Sequence, residues 1–339
     1  MNEIEIFKLE MKNGLSIEEM QALYFNQDAL RLQPRRVYRI GGTAKRIYYT
    51  LNEADEPYFY SSVTTAIARN IPTSEHLIKW MAEMGLEEAE TYKQERADYG
   101  TFLHIECSSL LINRKLDLDG MEDRLLAYMD ERKLPTSFIY HAEELRKDVL
   151  AFAQFVIDYK VKPLAIEIIL ASEALGMAGA IDMPCEMTIT EKGFFGEVYK
   201  TGVNKGTPKE SKRETVVRAI VDFKSGRKGF YTAHECQLKI YEKLWNENFP
   251  DLPVDKLFNW APNEWRGGTP TYKLKDQTTS EGAEMADLII QLEKLKRKRD
   301  NRGILVTQGE IVLDGGDLRE NYYSVELGEF VKGKHNERG

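Results

Sequence analysis

The sequence predicts an α/β protein. Helical periodicity runs through residues 74–160, β-rich segments crowd residues 165–226, and a helix and a short strand follow by residue 262. That order (helix, strand, strand, strand, helix, strand) describes a compact α/β unit. The chain has 339 residues, 42% of them hydrophobic, enough for one elaborated domain or two ordinary ones.

In chain order, residues 1–30 read as a short strand followed by an acidic helix, SIEEMQALYFNQDAL. Apolar residues alternate in RRVYRI, KRIYYTL and PYFYSSV, and the turn signals GGT and NEADEP separate them, as in an antiparallel meander. GGT lacks a strand–helix setting for a dinucleotide site and reads as a turn. Ser61 or Ser62 can start the next helix, and Thr73 or Ser74 can cap the one after it. That helical stretch continues to residue 113, and Gly85 and Gly100 are expected to divide it. Two further helices are expected over 121–132 and 141–160, with Pro135 between them. Strands follow over 165–172, 177–188 and 216–226, then an amphipathic helix over 234–249 and a strand over 256–262. A helix with a basic end (281–300), two weak strands (304–313, 322–331) and the polar tail KGKHNERG complete the chain. The stretch 190–215 reads as a long loop, either disordered or functional.

Composition narrows the function. No apolar run approaches the roughly 20 residues of a membrane span. MNEIEIFKLEMKNG lacks the apolar core of a signal peptide. Three scattered cysteines, Cys107, Cys185 and Cys236, point to a reducing, cytoplasmic setting rather than a disulfide framework. A net charge of −8 argues against a non-specific nucleic-acid coat protein, but not against basic residues gathered at one site.

The chemistry concentrates in acidic residues placed within apolar strands. In IVDFKSG, period-two alternation puts Asp222 and Lys224 on one face and Val221 and Phe223 on the other. Alone, that pair could be a surface ion pair. The apolar flanks instead predict a buried strand, where charge is costly without a partner. Asp182 in GMAGAIDMP and Glu167 in LAIEIIL repeat the pattern. Three carboxylates in three successive apolar strands form the oxygen set expected for Mg²⁺ or Mn²⁺, and Lys224 is the cation such a site would offer an incoming anion. Gln237 and Tyr241 lie four residues apart and share a face of the next helix.

YGTFLH (99–104), AIEIIL (165–170), GAIDM (179–183), IVDFKSG (220–226) and QLKIY (237–241), in that order, resemble the RecB-like branch of the PD-(D/E)XK nuclease superfamily, in its phage-type exonuclease form. The resemblance spans roughly residues 60–262. It implies a restriction-endonuclease-like core, a mixed central sheet flanked by helices. It further implies an N-terminal β-rich elaboration (1–75), a helical region with the motif histidine (76–160), the nuclease core (161–265) and a C-terminal extension (266–339).

The same resemblance implies roles. His104 would supply a nitrogen ligand, Asp182 and Asp222 the metal carboxylates, and Phe223 a backbone carbonyl. Glu167 would lie near the metal, directly or through water; pairing with a helix Lys or Arg is its other reading. Lys224 would orient or help deprotonate the attacking water, and Gln237 and Tyr241 would face the active site. The plainer readings are a hydrogen-bonded core histidine for His104 and a core tyrosine for Tyr241. One or two Mg²⁺ or Mn²⁺ ions are implied. An iron–sulfur cluster is not expected, because the three cysteines are dispersed and none forms a CxxC pair. His234 and Cys236 lack a further pair to complete a zinc site.

DNA is the implied partner. Without a Walker A motif any helicase must be a separate chain, and a single-strand annealing or binding protein is a further implied partner. Lys205, Lys209, Lys212, Arg213, Arg227 and Lys228 adjoin the Asp222–Lys224 strand in sequence and are the candidate phosphate contacts. A second basic run, KLKRKRDNR (294–302), ends a helix; either cluster could instead be a solvated face. Trp260, Trp265 and Arg266 could stack bases or simply pack. The expected activity is metal-dependent DNA exonuclease, in recombination, replication or repair. A structure-specific or single-strand endonuclease and a non-catalytic DNA-binding subunit are the alternatives.

Overall fold

The computed structural model describes residues 37–40, 47–53, 57–226, 229–263, 271–299, 321–324 and 329–332. The strand and helix expected over 1–30, the strand over 304–313, Arg227, Lys228, Trp265, Arg266 and the polar tail after Lys332 lie outside them. The alternating segments form the expected antiparallel meander: β1 (Tyr38–Ile40), β2 (Ile47–Leu51) and β3 (Pro57–Ser62).

Ser62 precedes α1 (Val63–Asn70), and the Ser74 hydroxyl caps α2 (Glu75–Met84) by accepting the Leu77 N–H at 3.3 Å. Gly85, at φ 96°, ends α2 in a conformation few other residues tolerate. Gly100 does not break the next helix as expected; α3 (Leu86–Asn113) runs through it for 28 residues. A Cβ on Gly100 would stand 3.0 Å from Ser225 Oγ. This glycine therefore allows a helix to approach the segment after Lys224, at a propensity cost of about 1 kcal/mol. The helices α4 (Met121–Arg132) and α5 (Ala142–Asp158) follow, joined by a 3₁₀ turn at Thr136–His141.

Next come β4 (Lys162–Pro163), β5 (Ile168–Ser172), β6 (Met177–Ile181), β7 (Met183–Gly193), β8 (Ser211–Phe223), α6 (Thr232–Asn248) and β9 (Lys256–Pro262). β10 (Tyr272–Asp276), an edge strand the sequence did not reveal, and α7 (Gly282–Arg299) follow. In place of the expected single central sheet there are two mixed five-stranded sheets, ordered β1-β2-β3-β6-β5 and β10-β9-β8-β7-β4. The β3–β6 and β8–β9 pairs are parallel and the others antiparallel.

The chain passes from one sheet to the other at Asp182. Its carbonyl accepts the Glu167 N–H at 2.8 Å and its side chain takes the Phe223 N–H at 2.6 Å, so polar bonds replace ladder pairing there.

Alternation sorts the core. Ala219, Val221, Phe223, Phe258 and Trp260 pack against α3 and α5, while Ile220 and Leu257 pack against α1, α6 and α7. Trp260, a candidate base-stacking residue in the sequence, is fully buried among Phe152, Phe155 and Phe223 and is a core residue.

The 190–215 stretch is not one loop. β7 and β8 pair continuously from Met183↔Val221 to Gly193↔Ser211, and the Val198↔Pro208 bridge carries pairing further. The result is a two-stranded arm, half-buried near Ile189 and Val217 and mostly exposed beyond them.

The chain divides into two units, Met1–Leu295 and Lys296–Gly339. In the second, β11 (Asn321–Ser324) and β12 (Glu329–Lys332) form an antiparallel pair where one strand over 322–331 was expected. Among the described residues no helix is long and apolar enough to cross a membrane.

Candidate metal centre

His104 lies on α3, Glu167 immediately precedes β5, and Asp182 sits at the joint between β6 and β7. One ligand atom from each falls within 4.8 Å of the others. His104 Nδ1 is 3.1 Å from Glu167 Oε1 and 4.0 Å from Asp182 Oδ1, and its Nε2 is 3.3 Å from the Phe223 carbonyl oxygen. The sequence placed Glu167 within a strand; in the fold it stands before the strand in the left-handed region, at φ 52°. Such conformations persist where surrounding bonds over-determine them, and they concentrate at functional sites.

Electrostatics mark the cluster. Burial raises the Asp182 pKa to about 7, the His104 charge opposes the rise, and the Asp222 and Glu167 carboxylates add to it. For His104, burial lowers the pKa, but the Asp182 and Glu167 carboxylates outweigh it and carry the imidazole up to about 9. A site that holds two carboxylates around one imidazole and pulls protons into itself has a surplus of negative charge. Replacing those protons by a cation relieves it.

Asp222, in β8, and Lys224, the first residue past its end, both face α6, as alternation predicts. Asp222 is fully buried, and its carboxylate is held by three side chains. Oδ2 accepts from Lys224 Nζ at 2.7 Å and from Asn259 Nδ2 at 2.8 Å, and Oδ1 accepts from Gln237 Nε2 at 3.1 Å. Gln237 also donates to Tyr241 Oη at 3.0 Å and accepts from Lys224 Nζ at 3.2 Å. Gln237 therefore joins the acid, the lysine and the tyrosine. Tyr241 is buried, and burial with Asp182 and Asp222 nearby pushes its pKa well above the usual tyrosine range. Gly179 admits Tyr241, since a Cβ there would stand 2.8 Å from Tyr241 Cε1.

The fold thus brings two groups of expected site residues side by side. His104, Glu167 and Asp182 form the ligand cluster. Asp222, Lys224, Gln237 and Tyr241 form a hydrogen-bonded set beside it, linked through the Phe223 N–H on Asp182. Asp222 is outside the three-residue cluster, and both of its oxygens are engaged by Lys224, Asn259 and Gln237. The Phe223 carbonyl faces the ring nitrogen opposite the one that meets the carboxylates.

The sequence missed two residues. Asn259 orients Asp222, and Gln277 Nε2 donates to Asn259 Oδ1 at 3.2 Å; both amides are buried. An asparagine amid the apolar KLFNWAP was the available signal.

The basic residues Lys205, Lys209, Lys212 and Arg213 lie on the arm, not beside the metal cluster. β7 leaves the site at Met183 and β8 returns to it at Phe223, so the tip is at the opposite end of the hairpin. Ten ladder steps of ~3.4 Å put Gly193 and Ser211 roughly 34 Å away, and the tip lies beyond them. Adjacency in sequence misled because a long hairpin separates what its turn seems to unite.

No protein-family model matches the chain, and no curated protein does. Among solved structures, a crystal structure of a candidate exonuclease from Eubacterium rectale aligns with a TM-score of 0.29 at 11% identity, covering 62% of this chain and 84% of that one.

Proposed function

We propose that the chain is a metal-dependent deoxyribonuclease of the PD-(D/E)XK type, acting as an exonuclease on DNA. The observation that carries this is the meeting of His104, Glu167 and Asp182 ligand atoms within 4.8 Å, beside a buried Asp222–Lys224 pair. One imidazole and several carboxylate oxygens suit Mg²⁺ and Mn²⁺. His104, Glu167 and Asp182 would hold the ion, with Asp222 and the Phe223 carbonyl at its border. When bound, such an ion supplies a Lewis acid for the phosphoryl oxygen and for the attacking water.

The chain supplies the rest. Lys224, a fifth exposed and gripped by Asp222 and Gln237, presents a fixed positive charge where the phosphate gains negative charge. Gln237 limits the motion of Lys224. Asn259, itself held by Gln277, bonds the same Asp222 oxygen as Lys224, so that Asp222 can balance Lys224 without swinging toward substrate. Lys205, Lys209, Lys212 and Arg213 would contact phosphates well away from the cut. Arg227 and Lys228 are proposed phosphate contacts nearer to it in sequence.

Incubation of linear, nicked and covalently closed circular DNA with Mg²⁺, read on a gel, tests the proposal. Linear DNA should be degraded and closed circles spared, and Asp222→Ala should cut neither. Cleavage of closed circles would assign an endonuclease. DNA binding without any cleavage would assign a non-catalytic subunit.

A further inference from the structure

His234 is the third residue of α6, three residues before Gln237 and seven before Tyr241, so all three share one helix face. It therefore extends the Gln237–Tyr241 stripe by one turn, past the position that holds Lys224.

Three features fix the ring. The Tyr231 backbone N–H donates to His234 Nδ1 at 3.3 Å. A ring nitrogen that accepts carries no proton, so the neutral ring bears its proton on Nε2. The rings of Phe230 and Tyr231 stand edge-on to the imidazole, with centroids 6.3 and 5.4 Å away. Among the described residues Nε2 meets no hydrogen-bond partner, and the side chain is only half-buried. Burial and the Lys224 charge lower the ring's pKa to about 4, with Asp222 opposing, so the ring stays neutral through the working range.

We propose that His234 is a substrate-positioning residue that donates its Nε2–H to a phosphate oxygen of the DNA strand lying over Lys224. The ring is oriented in advance, keeps its proton on the nitrogen that has no partner among the described residues, and adds a donor without adding a second cation next to the lysine. This rests on the nuclease reading above.

Two substitutions separate the contact from the helix cap. In His234→Asn the amide oxygen can take the place of Nδ1 and keep the cap, but the Nε2 donor is lost. In His234→Gln the amide nitrogen can reach the Nε2 position, but the cap is weakened. KM and kcat on linear DNA with Mg²⁺ are measured together with the melting temperature. His234→Asn should raise KM about tenfold, the loss of one hydrogen bond to a charged acceptor, with kcat and melting temperature near wild type. His234→Gln should lie closer to wild type in KM despite a lower melting temperature. The pH profile of kcat/KM should show no histidine inflection assignable to His234. If both variants lose activity in proportion to melting temperature, or His234→Asn leaves KM unchanged, the assignment is overturned and the nuclease reading stands. A wild-type protein that cuts no DNA overturns both.

Discussion

Replacing Lys224 by methionine removes one charge and leaves most of the stem in place. Asp222, with no exposure of its own, would keep the Asn259 and Gln237 amides at 2.8 and 3.1 Å and lose the ammonium at 2.7 Å. Breaking a buried ion pair costs about 3–5 kcal/mol when the remaining charge has no other partner. Two donors remain on Asp222, and Lys224 is 20% exposed, so the expected loss is smaller, ~2 kcal/mol. Urea unfolding in EDTA should show a lower midpoint at unchanged slope, and Mn²⁺ should restore part of the loss by supplying positive charge nearby. Single-turnover cleavage should fall by roughly 10²–10³, the usual cost of removing a preorganised charge, while DNA binding persists. A Lys224→Met protein that unfolds at the wild-type midpoint would refute the account of how Asp222 tolerates burial. Near-wild-type cleavage would reduce Lys224 to a structural partner.

Asp182→Asn should abolish the stabilisation that Mn²⁺ gives in a thermal melt, yet at pH 9 in EDTA it should be more stable than wild type, because no buried carboxylate has to ionise. The pH dependence in EDTA carries a definite sign. Asp182 and His104 have folded pKa values raised above 3.8 and 6.5, to about 7 and about 9, so the folded state binds more protons than the unfolded one. Their contribution is complete below the unfolded values and declines as pH rises through 4–7 and then 6.5–9, while Mn²⁺ affinity, read by calorimetry, rises over the upper range. Gly179→Ala would press a Cβ to within 2.8 Å of Tyr241 and 3.2 Å of Val63, and denaturant titration should show a loss of about 1–3 kcal/mol together with lower activity. Replacing residues 197–208 by a two-residue turn should leave Mn²⁺ affinity intact, lower affinity for long duplexes and flatten its salt dependence, by about one unit of slope for each phosphate no longer neutralised.

Period-two alternation was enough to place Asp222 and Lys224 together and to separate them from Phe223, because burial on both faces of β8 enforces the register. The carboxylates of Asp182 and Glu167 were legible as anomalies in apolar surroundings. Their positions were not: Asp182 occupies a joint between sheets and Glu167 a left-handed residue before a strand, and both are products of tertiary hydrogen bonds. Gly100 illustrates the opposite error, where a local breaker is overruled by the approach of Ser225. β10 was hidden because YKLKD is a half-exposed edge strand with lysines at alternate positions. The arm was hidden because its outer strands are polar on both faces and carry no core signal.

That arm makes β8 a single strand with two stabilities. From Ala219 to Phe223 its amides lie within packed layers, whereas from Lys212 to Val216 they are held by one neighbouring strand in contact with water. Hydrogen exchange along the one strand should therefore run from global unfolding at the Asp222 end to local fraying at the Ser211 end. Because fraying at the tip need not propagate to the buried end, the tip can be lengthened, recoded or fused to another segment while the carboxylate at the far end keeps its place.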